Sequence, residues 1–417
     1  MWILAGLKVP EKQVERLSKG IGHECVARRE SQVRAFLELP LMERVAAQAH
    51  SPDLAVVSMD GGRLQILDRR APDAGRSDAG TRPGGPAPAS PPGPPESEDR
   101  GESESESEDE GEGEAEQHRH GHWREDKIGL LMTMTSEETR NDPCPKIPET
   151  FVNPLKIPKL AREIKRGAAA GEDGVADPVE DDPASPVEGC AGYEPPKVRL
   201  KSMVGTRAVA KRFGAILAAA AFARGFFGAK RKAFVADGAA VNWRTQRRWF
   251  SDFTPILDFI HALSYVFSAA MADRGFRQGW DVYQRWITRV WEGQVAVVIE
   301  ELKRRRDELG PPESGDSETS PRRVVADALT YLDNNRSRMR YDEYRRLGLP
   351  IVSSHVESTV KRFNRRVKGT EKFWSESGAE ALLQLRADYL SETEPMERYW
   401  QEREAGATGR RTYRRSG

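Results

Sequence analysis

The chain has 417 residues, with 65 Lys+Arg against 65 Asp+Glu and a formal net charge of zero. That length allows two or three ordinary domains, but 38% hydrophobic and 31% charged residues are too polar for one uniform globular unit, so part of the chain is expected not to fold. No apolar run approaches the roughly 18 residues of a membrane-spanning helix, and the apolar start has neither the basic lead-in nor the cleavage site of a signal peptide, so a membrane protein is excluded.

Only Cys25, Cys144 and Cys190 are present, far apart in sequence. This excludes a disulfide framework and a Cys-x-x-Cys metal pair, and points to a reducing cytosol. The balanced charge hides an asymmetry. Residues 96–116, ESEDRGESESESEDEGEGEAE, hold twelve acids and one arginine, whereas residues 197–417 hold 41 basic and 27 acidic residues. The folded half is therefore basic and calls for an anionic partner.

Residues 1–50 read as helical, in two short helices about a turn at Gly20 and Gly22. Such a pair serves either as a packing hairpin or as a helix-turn-helix that reads DNA. Next, LAVVSMDGGRLQIL has strand character, and Asp60-Gly-Gly is a tight-turn signal that predicts a hairpin. Residues 51–68 and 123–136 (the latter opening WREDKIGLLMTM) supply the first strands of a sheet. Between them, 69–122 is rich in Pro, Gly, Ser and Glu and cannot bury enough apolar surface to fold. Residues 137–196 form a second loose stretch, with a short helix near LAREIKRGAA.

Residues 197–261 carry the rest of the sheet and its helices. TRAVAKRFGAILAAAAFARG is strongly helical, AFVADG is a strand ending at Asp237, Trp243 to Trp249 is helical, and PILDFI is a further strand. Residues 262–350 read as helix, interrupted near GPPESGDSETSP. Residues 351–392 are helical after LGLPIVSSHVES, and 393–417 form a basic tail. There is no fixed-period repeat.

This order brings three carboxylates into consideration. Asp60 lies early in the sheet, Asp237 ends a later strand, and Glu357 sits at the start of a late helix. Each has an ordinary explanation by itself: a hairpin turn, a helix cap, and an acid favoured by the macrodipole. Together, in this order, they fit an acidic site for two hard divalent cations, Mg²⁺ or in its place Mn²⁺.

The motifs FVADGAAVNWRTQRRWFSDFTPILDFIHALSYVFSAA, GLPIVSSHVESTVKRFNRRVKGTEKFWSESGAEALLQLRADYLS, VVSMDGGRL and WREDKIG together resemble ISKra-type insertion-sequence transposases of the DDE class. The resemblance implies an α/β fold: a ribonuclease-H-like catalytic domain with an all-α insertion, a short helical N-terminal region and long disordered loops. It implies Mg²⁺-dependent cleavage of element ends and strand transfer into target DNA. Asp60, Asp237 and Glu357 would be the catalytic, metal-binding triad, and Asp258 and His261 would support it. The implied partners are double-stranded DNA, as ends and target, and further copies of the chain in a homodimer or larger assembly on DNA. The implied location is the prokaryotic cytoplasm, at the nucleoid, with no membrane partner. The chain departs from the pattern in its short N-terminal region, in Ser353-Ser354-His355, and in the 69–122 insertion. These departures keep open a truncated, inactive DNA-binding remnant or repressor.

Other features carry two readings each. Lys361, Arg362, Arg365, Arg366 and Lys368 are phosphate contacts beside the cut or a solvated basic face. Trp243, Trp249 and Trp374 stack on bases or pack in the core. Asp258 and His261 orient the site or form a structural pair. His118, His120 and His122 resemble a metal tract without a neighbouring cysteine. The acidic tract keeps its loop solvated or covers the basic surface as a DNA mimic.

Overall fold

The computed structural model describes residues 2–4, 7–45, 50–66, 122–169, 193–352, 363 and 375–406. Strands β1 (Trp2–Leu4) and β2 (Leu7–Val9) form an antiparallel pair. Helix α1 (Glu11–Glu38) follows as one uninterrupted span, and α2 (Leu41–Val45) is short. The break expected at Gly20 and Gly22 does not occur. A Cβ on Gly22 would stand 2.6 Å from the carbonyl oxygen of Ala381, so this glycine permits a close helix–helix contact and is not a turn residue.

The main sheet has five strands: β3 (Leu54–Ile66), β4 (His122–Thr135), β5 (Lys197–Thr206), β6 (Arg231–Ala236) and β7 (Thr254–Leu257). Their order is β5-β4-β3-β6-β7, antiparallel from β5 to β3 and parallel from β3 to β7. The protein is thus of mixed α/β class. The hairpin expected at Asp60-Gly61-Gly62 is absent. β3 runs straight through these residues and pairs with β4 from Leu54↔Met134 to Ile66↔His122. A long ladder with Val56, Val57, Leu130 and Leu131 buried beneath it outweighs a local turn preference.

The helices are α3 (Ile157–Ala169), α4 (Ala210–Ala223), α5 (Ala240–Trp249), α6 (Phe259–Met271), α7 (Phe276–Trp291), α8 (Val295–Leu309), α9 (Pro321–Asn335), α10 (Tyr341–Arg346), α11 (Glu376–Leu390) and α12 (Pro395–Ala405). Helix α4 covers one face of the sheet, where a Cβ on Gly129 would lie 2.5 Å from Leu217. On the neighbouring α5, Trp243 packs 6.3 Å from the Phe234 ring. Gly205 faces the other side, because it pairs with Ile128 while Gly129 is the next residue along β4. A Cβ there would meet Phe363 at 2.5 Å and the Leu383 carbonyl at 3.2 Å, so α11 covers the second face.

The outer edge of β5 is closed by named bonds. Lys201 donates its N–H to Glu392 Oε2 at 2.9 Å and accepts from the Glu392 N–H at 2.9 Å. Met203 N–H donates to Ser391 Oγ at 2.9 Å, and Arg207 N–H to Glu380 Oε2 at 2.8 Å. These satisfy strand groups that would otherwise invite another chain.

Helices α6 to α10 share one continuous core with the sheet. Phe259 makes edge contacts with Trp291 at 5.2 Å and Tyr341 at 5.1 Å, and Tyr341 Oη donates to the Leu257 carbonyl at 3.0 Å. Arg345, fully buried, forms a two-point ion pair with Asp142 and lies 3.9 Å from the Trp291 ring. Cys144 is disulfide-bonded, which departs from the expectation of reduced cysteines throughout; Cys25 is a free, buried thiol. No helix among the described residues is long and apolar enough to cross a membrane.

A candidate acidic site at the ends of the parallel strands

The parallel half of the sheet sets the geometry. Ser58 on β3 pairs with Val235 on β6, and Ala236 on β6 pairs with Leu257 on β7. Continuing the first register by two residues brings Asp60 level with Asp237. Continuing the second by one brings Asp237 level with Asp258. Adjacent strands stand about 4.8 Å apart. By this continuation three carboxylate-bearing positions fall in one row: Asp60 within β3, two residues past its pairing with β6, and Asp237 and Asp258 just past the ends of β6 and β7. Asp60 and Asp237 are half-buried, whereas Asp258 is fully buried.

Each acid is held differently. Asp60 Oδ1 accepts from the Gly61 N–H at 2.7 Å. Asp237 Oδ1 accepts from the Ala239 N–H at 3.0 Å and from Asn242 Nδ2 at 2.7 Å. Both bonds to the Asp237 carboxylate fall on Oδ1, so Oδ2 is the oxygen left for a cation. Asp258 is the N-cap of α6, with Oδ1 accepting from the Ile260 N–H at 2.6 Å. Its Oδ2 is 3.9 Å from His261 Nδ1, in ion-pair range but beyond a hydrogen bond. Asp258 thus starts a helix and stands beside His261, an arrangement that both readings of the pair share.

The backbone around Asp237 is fixed from the helical block. Tyr331 on α9 donates its hydroxyl to the Asp237 carbonyl at 2.5 Å, and its ring stacks on Tyr265 of α6 with centroids 3.7 Å apart. Burial, followed by the charge of Asp237, raises the pKa of both tyrosines, so their hydroxyls stay protonated. Gly238 has φ +99°, and a Cβ there would stand 2.8 Å from the Tyr331 ring. Glycine is required at this position for conformation and for space.

Asp126 also belongs to this region. It is fully buried and pairs in register with Gly62, so it faces the same side of the sheet as Asp60. It lies within WREDKIG, but sequence alone gives it no more weight than its neighbours. Asn242 could have been found as a polar residue one turn beyond Asp237. Tyr331, 94 positions from its partner, leaves no local signal.

Carboxylate oxygens such as those of Asp60 and Asp237 are hard donors of the kind that suits Mg²⁺ or Mn²⁺. Among the described residues no group of three or more His, Cys, Asp or Glu side chains assembles. Glu357 lies outside the described residues, as do Lys361, Arg362, Arg365, Arg366, Lys368, Trp374, His118 and His120. Trp243 is buried against Phe234, and Trp249 packs 6.4 Å from Phe36, so both belong to the core.

Scans of protein families, of curated proteins and of solved structures return no match to this chain.

Proposed function

We propose that the chain cuts and rejoins DNA strands as a DDE-type transposase with a ribonuclease-H-like catalytic domain, using Asp60, Asp237 and Glu357. The observation that carries this reading is the parallel register of β3 and β6, which, continued two residues past Ser58↔Val235, brings Asp60 level with Asp237. The strand arrangement supports it: three antiparallel strands in chain order, then two parallel strands added beside the first. Glu357 belongs to the stretch between Ile351, whose carbonyl accepts from the N–H of Phe259 beside Asp258, and Phe363, seated against Gly205 in the row of Asp60.

Mg²⁺ held by these carboxylates, when bound, supplies charge neutralisation at the phosphate and a more acidic attacking hydroxyl. The chain's own residues provide the rest. Ala239 N–H and Asn242 hold Asp237 by one oxygen and so fix the direction of the other. The Tyr331 hydroxyl holds the carbonyl of the same residue. In the first step a water oxygen bonds to phosphorus as the bond to the 3′-oxygen breaks, and that oxygen leaves with a proton. In the second, the oxygen of the freed 3′-hydroxyl bonds to a target phosphorus as the bond to the target's bridging 3′-oxygen breaks, and that oxygen leaves with the proton the attacking hydroxyl gives up. Both are in-line displacements, so one acidic site serves both. The basic excess of residues 197–417 supports a nucleic-acid substrate.

The test is cleavage of the DNA that flanks the coding sequence, with Mg²⁺ and with EDTA. Asp237→Asn should retain the far-ultraviolet circular dichroism of the parent and lose about a thousandfold in rate. Cleavage at the parental rate by that variant overturns the proposal.

A further inference from the structure

Helix α5 leaves the sheet directly after Asp237-Gly238-Ala239, and its outer side is basic. Arg244, Arg247 and Arg248, three and four residues apart, are all exposed. The helix, AVNWRTQRRW, contains no acid. Arg338, from the 3-10 turn Arg336–Arg338, places its guanidinium 4.5 Å from the centre of the Trp243 ring. Burial first, and then the like charge of Arg247, lower its pKa.

Nearby cations are neutralised: Lys232 by Asp252, Arg336 by Asp333 and Arg340 by Glu343. Among the described residues Arg244, Arg247, Arg248 and Arg338 have no such partner. Arg338 donates only to the Asn334 carbonyl at 2.9 Å and to Asn335 Oδ1 at 3.2 Å. Complementing the helix dipole accounts for Arg247 and Arg248 in the last turn. It accounts neither for Arg244 nor for Arg338, which comes from a separate element and lies over the Trp243 ring.

We infer that α5 and Arg338 form a binding surface for the phosphate backbone of duplex DNA, holding the strand beside Asp237. Guanidinium forks match phosphate oxygens in pairs, and the ring beneath Arg338 holds that fork in place. Arg244 to Arg248 covers about 6 Å of helix axis, the span of about two successive phosphates of one strand. Asn242, bonded to Asp237, lies two residues before Arg244, about 3 Å along the helix axis and on the opposite, buried side of the helix. The inference rests on the proposed function for its partner class and adds the surface that holds it.

The experiment measures binding of the full chain to a fluorescent duplex, in EDTA, across a salt series. Arg244→Gln/Arg247→Gln/Arg248→Gln should lower the slope of log affinity against log salt by about three and weaken binding about 30- to 100-fold at moderate salt, for any sequence. Arg277→Gln/Arg304→Gln removes two exposed charges elsewhere and should change affinity less than about threefold. Thermal unfolding checks that the variants fold, and Arg244→Gln alone replaces the triple variant if that one does not. A parental slope and affinity in the triple variant overturn the inference. Parental cleavage by Asp237→Asn overturns the catalytic proposal instead, and the two results are read on different variants.

Discussion

The outer edge of β5 and the acidic row that crosses β3 and the carboxyl ends of β6 and β7 use similar groups to opposite ends. At the β5 edge, carboxylates finish the structure. Glu380 takes Thr206 Oγ1 at 2.6 Å, Arg207 N–H at 2.8 Å and Arg29 Nη2 at 2.8 Å, while Glu392 and Ser391 take the neighbouring strand amides. At the other end, Asp237 has both bonds on one oxygen and stays half-buried. Saturation closes an edge, and partial satisfaction leaves Asp237 with an oxygen able to take a ligand.

Removing the closure should have the largest effect. Glu380→Ala leaves the Arg207 amide and the Thr206 hydroxyl without their acceptor and should cost about 2–3 kcal/mol in urea unfolding, with Glu380→Gln recovering part of it. An unchanged midpoint would show that the edge is closed by packing alone. At the acidic end, Tyr331→Phe deletes one bond to the Asp237 carbonyl and keeps the stack on Tyr265. We expect about 1 kcal/mol of stability lost and a cleavage rate down by about fivefold, with DNA affinity unchanged. A fall in affinity with a parental rate would place Tyr331 in binding rather than in positioning.

The smallest effect concerns Asp388 on α11, where burial raises the carboxyl pKa despite a bond from Gln384 Nε2 at 2.9 Å. A raised pKa in the folded state favours the protonated form. Its contribution to stability is therefore full below the ordinary carboxylate pKa and is lost as pH rises through the folded value. Asp388→Asn should raise the melting temperature slightly at pH 7 and lose that advantage near pH 3. The reverse trend would mean that the Gln384 bond outweighs burial.

Much of the architecture was legible because long periodic segments dominate it. The helices between 262 and 346, the strand from WREDKIG and the strand ending at Asp237 follow from apolar spacing and composition. The errors came where a distant partner overruled a local signal. Asp60-Gly61-Gly62 reads as a turn until β4 pairs along the whole of β3. Gly20 and Gly22 read as a helix break until Ala381 fills the space beside Gly22. The strand expected to reach Ile260 stops at Leu257, because Asp258 starts α6 with its own side chain. At the site, Asp60 and Asp237 were visible as residues, but their alignment is a property of register. Arg338 and Tyr331 come from the helical block and become relevant only once it packs on the sheet.

The closure of β5 also has a timing. α1 arises from the first forty residues, whereas Glu380, Ser391 and Glu392 belong to the last tenth of the chain. During synthesis the sheet can assemble long before the segment that shields its flank has left the ribosome. A nascent chain halted before residue 376 would present a bare row of amides, so pausing late in translation is the moment of greatest exposure to chaperones and to aggregation.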